Sequence, residues 1–431
     1  MNPENLKDLA SNKEIDLQTL TRLMELKTVF LCELDSQIGP GLMRHLLVLE
    51  RLDLSNLFIE TLPPWIGQLS SLKELSLWGC KKLTSIPDTL AGLTSLEKMD
   101  LSSSSIASLP ASIGQLSSLK KLSLTECRNL TNIPTTLEGL TSLEKMDFSW
   151  SLIAWLPPSV GHLSSLKQLS LWRCKNLTSI PVTLAGLTSL EKMDLSYSSI
   201  ASLPPSIGQL SSLKELSLSG CENLTSIPDT LAGLTSLEKM DFSWSSIAWL
   251  PPSVGHLSSL KELSLSGCRN LTNIPDTLTG LTSLEKMVLS WSSIASLPPS
   301  IGQLSSLKEL SLKGCENLTS IPDTFHGMTS LGRLDLCFST RISHLPDSFY
   351  GLINLRELYL NSCSNLRALS SMEFLTALTI IDLQNCDSLE PRLLRLMDSN
   401  QAIQFLTQPF HTAYAGGLAP LMCLRHCSFL S

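Results

Sequence analysis

Aromatic residues make up only 5% of this 431-residue chain and charged residues only 16%, and serine and threonine fill the space that charge leaves. No run approaches the roughly 18 apolar residues that a membrane span requires, so membrane insertion is not expected. The opening stretch, MNPENLKDLASNKEID, is polar and acidic, without a basic segment followed by an apolar one, and reads as carrying no secretory leader. Also missing are a Gly-rich loop closing on Lys-Ser/Thr, G-x-S-x-G, H-E-x-x-H and Cys-x-x-Cys, so neither an enzyme nor a bound cofactor is expected. The single Cys/His cluster, Cys423, His426 and Cys427, falls in a C-terminal stretch without periodicity and reads as incidental rather than as a zinc site. A net charge of −7 gives nucleic acid or an anionic membrane nothing to be drawn to.

What the chain has is leucine at a fixed period. A Leu opening an L-x-x-apolar-x-(L/F) run recurs fifteen times from Leu49 to Leu378, at spacings that alternate 23 and 24 until the last two intervals, which are 24 and 23. A period in the twenties with this apolar pattern specifies a leucine-rich-repeat solenoid. No coil can bury its own leucines alone, so the stack is the unit of stability. The expected architecture is an α/β open horseshoe with a parallel concave sheet of about fifteen strands, roughly 70 Å long at the usual strand spacing. The division expected is an N-terminal cap over 1–48, the solenoid over 49–389, and a cap and tail over 390–431. Within the first, Leu26-x-x-Val29-x-Leu31 fits a degenerate opening coil; within the last, an amphipathic segment begins at Pro391.

Two kinds of coil alternate. Odd coils such as 96–118 carry Ser at the ninth place and Leu-Pro further on; even coils such as 213–236 carry Cys there and Ile-Pro one step later. At that place, where the chain leaves the strand, Ser or Cys can each donate to buried backbone acceptors, which predicts a soft hydrogen-bonded ladder. The Gly of the return segment x-x-(I/L)-G-x-L is expected to supply a positive φ. Eight of the twelve cysteines follow the repeat, and the first six lie 47 residues apart. Two coils separate them by about 9.6 Å, beyond disulfide reach; only Cys363 and Cys386, on adjacent coils, could pair. A column of reduced thiols favours the cytoplasm. Five Asn-Leu-Thr sequons, at Asn129, Asn176, Asn223, Asn270 and Asn317, recur because the coil recurs.

On the sheet face, third places carry lysine on odd strands and mostly glutamate on later even strands, an alternating ladder that neutralises itself. Asp recurs at the fifth place of odd strands, too widely spaced for two carboxylates to share a cation. The seventh and eighth places differ. Trp150, Tyr197, Trp244, Trp291 and Phe338 occupy the eighth place of successive odd coils, while Trp78, Trp172 and Arg173 stand at the seventh or eighth place of even ones. Other copies put Ser or Gly there. Exposed aromatics with arginine are the material of binding hot spots, so these eight are the candidate partner-binding residues.

The even coil, L-x-x-L-x-L-x-x-C-x-N-L-x-x-I-P-x-x-L-x-G-L, resembles repeats in the recognition part of plant intracellular nucleotide-binding leucine-rich-repeat disease-resistance receptors. The odd coil, with S-L-P-P-S-I-G-Q-L, is similar also to Ras-group-related leucine-rich-repeat proteins. The resemblance covers residues 49–389 and implies a non-enzymatic protein-recognition scaffold, in plant-type intracellular immune recognition or signalling, with a protein partner. It carries no nucleotide-binding domain, so no nucleotide switch is implied. A structural spacer and a secreted receptor ectodomain are the alternatives.

Overall fold

The computed structural model describes residues 28–30, 47–369, 372–389 and 404–406. The helical cap expected before the first coil, the segment from Pro391 and the Cys423, His426 and Cys427 cluster lie outside them.

Each coil contributes one three-residue strand at its third to fifth places, from Arg51–Asp53 to Ile380–Asp382. Every strand pairs in parallel with the strand of the next coil, third place to third place. Thr28–Phe30 and Gln404–Leu406 pair onto the two ends, giving a seventeen-stranded sheet in chain order that does not close on itself. The parallel ladder runs further than the strands: the sixth-place N–H of Leu54 donates to Ser76 and the eighth-place N–H of Asn56 to Trp78 on the next coil. The first, fourth and sixth places are buried along the whole stack, as at Leu96, Met99 and Leu101, and form one continuous core.

The return to the next strand is a short 3-10 turn, as in Pro64–Gln68 and Asp88–Gly92. Its glycine has an ordinary φ, contrary to the expectation of a left-handed residue there. The glycine is needed for space. A Cβ on Gly92 would collide with the Gly67 carbonyl, and one on Gly186 with that of Gly161, so the return edge of the stack is held at backbone contact.

Left-handed backbone occurs instead at the eighth place of all fifteen coils from Leu49 onward, eleven times in a non-glycine residue and four times in glycine. The chain leaves the sheet there and must reverse within two residues, which puts the eighth residue at φ between 56° and 72°.

Behind that turn lies the ladder of the ninth places. The thiols of Cys127, Cys174 and Cys221 donate to the carbonyls of Leu101, Phe148 and Leu195 at 3.1–3.2 Å. Ser104, Ser151 and Ser198 meet those same sulfurs at 3.4–3.5 Å. Nine cysteines among the described residues are free thiols, Cys363 and Cys386 included. Burial pushes the thiols of Cys174 and Cys268 up to about 11 and that of Cys363 to about 12.

Candidate functional site

The candidate residues stand at the edge where the strands leave the sheet. An L-residue other than Asn or Asp is uncommon in the left-handed region, because its Cβ crowds the following carbonyl. Trp150, Tyr197, Trp244, Trp291 and Phe338 all occupy it. The conformation lays each side chain over the next coil, and the sequence leaves room where the ring lands: Tyr197 covers Gly220, Trp244 covers Gly267 and Trp291 covers Gly314. Aromatic on the odd coil and glycine on the even coil are therefore one packing unit.

At Trp150 the next coil offers Arg173 in place of glycine. Its guanidinium lies 4.3 Å from the Trp150 ring, 4.9 Å from Trp172 and 5.1 Å from Tyr197. Trp150 meets Trp172 edge-on at 5.4 Å and Trp172 meets Tyr197 edge-on at 6.5 Å. Arg128 approaches the Trp150 ring from the preceding coil at 5.5 Å. The Arg173 Nε is buried without a hydrogen-bond partner, so the rings, rather than acceptors, hold the cation.

Of the eight candidates, Trp150, Trp172, Arg173 and Tyr197 thus come together as one cluster. Trp291 and Phe338 form a smaller pair at 5.9 Å, with the Lys313 ammonium 5.8 Å from the Phe338 ring. Trp78 and Trp244 stand apart from both; 47% of Trp78 and 39% of Trp244 is exposed. Sequence reasoning passed over Trp155 and Trp249, which are exposed at the thirteenth place, where Ser108, Ser202 and Ser296 stand in other odd coils. That substitution of Ser by Trp was the available signal.

Beside this edge the concave face carries two charge ladders. At the third place Lys192 pairs with Glu215 at 2.8 Å, Lys239 with Glu262 at 3.0 Å and Lys286 with Glu309 at 3.0 Å. At the second place the same logic joins Lys120 to Glu97, Lys214 to Glu191 and Lys261 to Glu238. The bonded lysine Lys120 lowers the Glu97 carboxyl below its ordinary value, as Lys261 does for Glu238. The Asp column is structural: Asp100, Asp147 and Asp194 each accept the backbone N–H two residues on, from Ser102, Ser149 and Ser196, at 2.8–2.9 Å. No group of His, Cys, Asp or Glu among the described residues is arranged to hold a metal ion.

Comparison with known proteins gives the class. A leucine-rich-repeat family model matches residues 70–129, 164–222, 188–247 and 305–366, and a single-repeat model of the same name matches 259–281. The chain belongs to the leucine-rich-repeat proteins. Among solved structures it is similar to a leucine-rich-repeat protein of Leptospira interrogans, at 28% identity and a TM-score of 0.70 over 92% of this chain and 93% of that one. It also resembles Toll of Drosophila, in a complex with Spatzle, at 21% identity and a TM-score of 0.64 over 83% of this chain and 53% of that one. An internalin of Listeria monocytogenes aligns at 19% identity and a TM-score of 0.54, over 79% and 88% of the two chains. The last two likenesses show the fold alone. No curated protein matches the sequence.

Proposed function

We propose that this chain is a non-enzymatic scaffold that recognises a protein partner through the edge of its concave sheet. One observation carries the proposal: aromatic side chains occupy a backbone position that the fold fills equally well with Gly, Ser or Asn, and where a bulky residue is strained. Strain retained at exposed positions of one edge is the mark of a contact surface. Replacing Trp150, Tyr197, Trp244 and Trp291 by Ser together removes the surface while keeping a residue that Ser103 and Ser362 already place there. Far-UV circular dichroism of the variant should match that of the parent, and capture of the partner from source-tissue extract should be lost. Undiminished capture would sink the assignment.

The finer proposal is a role in plant-type intracellular immune recognition or signalling, in the cytoplasm. The I-P-x-x-L-x-G-L motif of the even coils and the reduced thiol column support it. The genomic reading frame upstream of Met1 tests it, a nucleotide-binding domain there being the expected finding for a receptor fragment. Against the ectodomain alternative, the sequon amides of Asn176, Asn223 and Asn270 are engaged, donating to carbonyls of the preceding coil at 3.2–3.4 Å. Mass spectrometry of the protein from its own source should find these asparagines without sugar.

A further inference from the structure

We infer that the concave face across the coils opening at Leu119, Leu143 and Leu166 takes an acidic peptide segment of a partner protein, with a carboxylate seated between Lys121 and Lys145. This rests on the proposed role as a protein-recognition scaffold and names the chemistry of the partner.

The third-place ladder is interrupted at this one stretch. From Lys192 to Glu309 each lysine has a glutamate opposite it, at 2.8–3.0 Å. Earlier in the chain the register sets Lys98 opposite Lys121, Lys121 opposite Lys145, and Lys145 opposite Gln168. Lys98 turns back to Glu74 at 2.7 Å. Neither the Lys121 nor the Lys145 ammonium has a hydrogen-bond or ion-pair partner among the described residues, and like charges directly opposite on neighbouring strands destabilise a sheet. The nearby aspartates do not relieve them. Asp147, two residues along the strand from Lys145, and Asp100, two along from Lys98 on the neighbouring strand, each have an oxygen committed to a backbone N–H. A carboxylate from outside, bridging the ammonium groups of two lysines whose strands lie about 4.8 Å apart, supplies what the ladder lacks.

A second feature falls on the same coils independently. Arg128, Trp150, Trp172 and Arg173 stand at the edge of this stretch, and the guanidinium of Arg173 lies among rings rather than carboxylates. The edge offers apolar faces beside cations, which fits a peptide that places a side chain of apolar or aromatic kind next to its acidic residues. The row of Asp100, Asp147 and Asp194, about 7 Å along the strands from the lysines, disfavours a nucleic acid, whose phosphates carry charge at every step.

The test is selection of a random peptide library displayed on phage, against the wild-type chain and against Lys121→Glu. Wild type should enrich peptides rich in Asp and Glu, and Lys121→Glu should not. The affinity of the selected peptides should fall about tenfold, the factor for a lost charge-assisted pair of about 1.4 kcal/mol, on Lys121→Glu and measurably on Lys145→Gln. It should hold on Lys175→Glu, which changes the same charge outside the concave face. Lys121→Glu is expected to melt no lower than the parent, because it stands between Lys98 and Lys145 as Glu215 stands between Lys192 and Lys239. Lys145→Gln relieves the repulsion without adding a carboxylate and guards against an effect on folding. Wild type that enriches no acidic peptides, or selected peptides that bind both lysine variants as tightly as the parent, overturns the inference. So does a single-stranded oligonucleotide that competes as well as the peptides do. Peptides without acid that bind wild type and are lost on Trp150→Ser leave the scaffold standing and remove only the acidic chemistry.

Discussion

At the scale of the residue, two positions of the coil hold opposite kinds of information. The ninth place of the even coils is chemically constrained: its thiol reaches a carbonyl of the preceding coil, and Cys174 does so toward Phe148 at 3.2 Å while fully buried. Cys174→Ala leaves that carbonyl without its thiol and opens a small void. A loss of about 1–3 kcal/mol in urea unfolding is expected, whereas Cys174→Ser, which keeps a donor, should lose less. The eighth place is conformationally constrained but chemically open, accepting Gly79, Ser103, Glu126, Trp150 or Arg173 at the same φ. A residue chosen there answers to what lies outside the fold. That is why the aromatics at this place, rather than the more numerous leucines, mark the candidate site.

The element that sets the solenoid's geometry is the 3-10 return. Its glycines meet the carbonyls of the neighbouring coil so closely that no Cβ fits. Gly186→Ala should therefore force the coils apart and cost several kcal/mol in thermal unfolding, beyond the usual range for a surface change. Gly332 offers a contrast on the same molecule. It has an ordinary φ, and the nearest atom to a Cβ there is the Lys308 carbonyl at 3.6 Å. Gly332→Ala should be neutral or stabilise by about 0.4–1 kcal/mol through the unfolded chain. Equal destabilisation at both sites would show that crowding at the return is not what selects glycine.

At the scale of the whole molecule, the repeat multiplies small effects. The buried thiols are one case, because burial raises each of Cys127, Cys174, Cys221, Cys268 and Cys315 above the ordinary value of 9.0. Below that pH the thiols are protonated in both folded and unfolded chains and add no pH dependence. Between 9.0 and about 11, the folded value for Cys174 and Cys268, the unfolded chain ionises while the folded one keeps its protons. Stability must fall with rising pH by about 1.4 kcal/mol per unit for each such thiol. A series of urea midpoints from pH 8 upward should show a steep alkaline loss that a variant with the column changed to Ser lacks. The thiols should also resist alkylation in the folded state near pH 8, since the thiolate is the reactive form.

Leucine spacing by itself determined the coil, its strand, the direction of the sheet and the buried places, because each is a local consequence of side-chain alternation repeated coil after coil. Alternation of Lys and Glu likewise made the ion-pair ladder legible, since coils of 23 and 24 residues both set third place beside third place. The left-handed eighth place was written only faintly, in Gly79, Gly220, Gly267 and Gly314, and the bulky copies hid it. What the tertiary structure decided is which side chains meet: that Tyr197 and Trp244 land on glycines, that Arg173 falls among Trp150, Trp172 and Tyr197, and that the return glycines answer to crowding rather than to φ. Apart from the adjacent Trp172 and Arg173, these are contacts between coils, more than twenty residues apart in sequence. They depend on the direction in which a turn releases each side chain, a property of backbone dihedrals that composition and period do not encode.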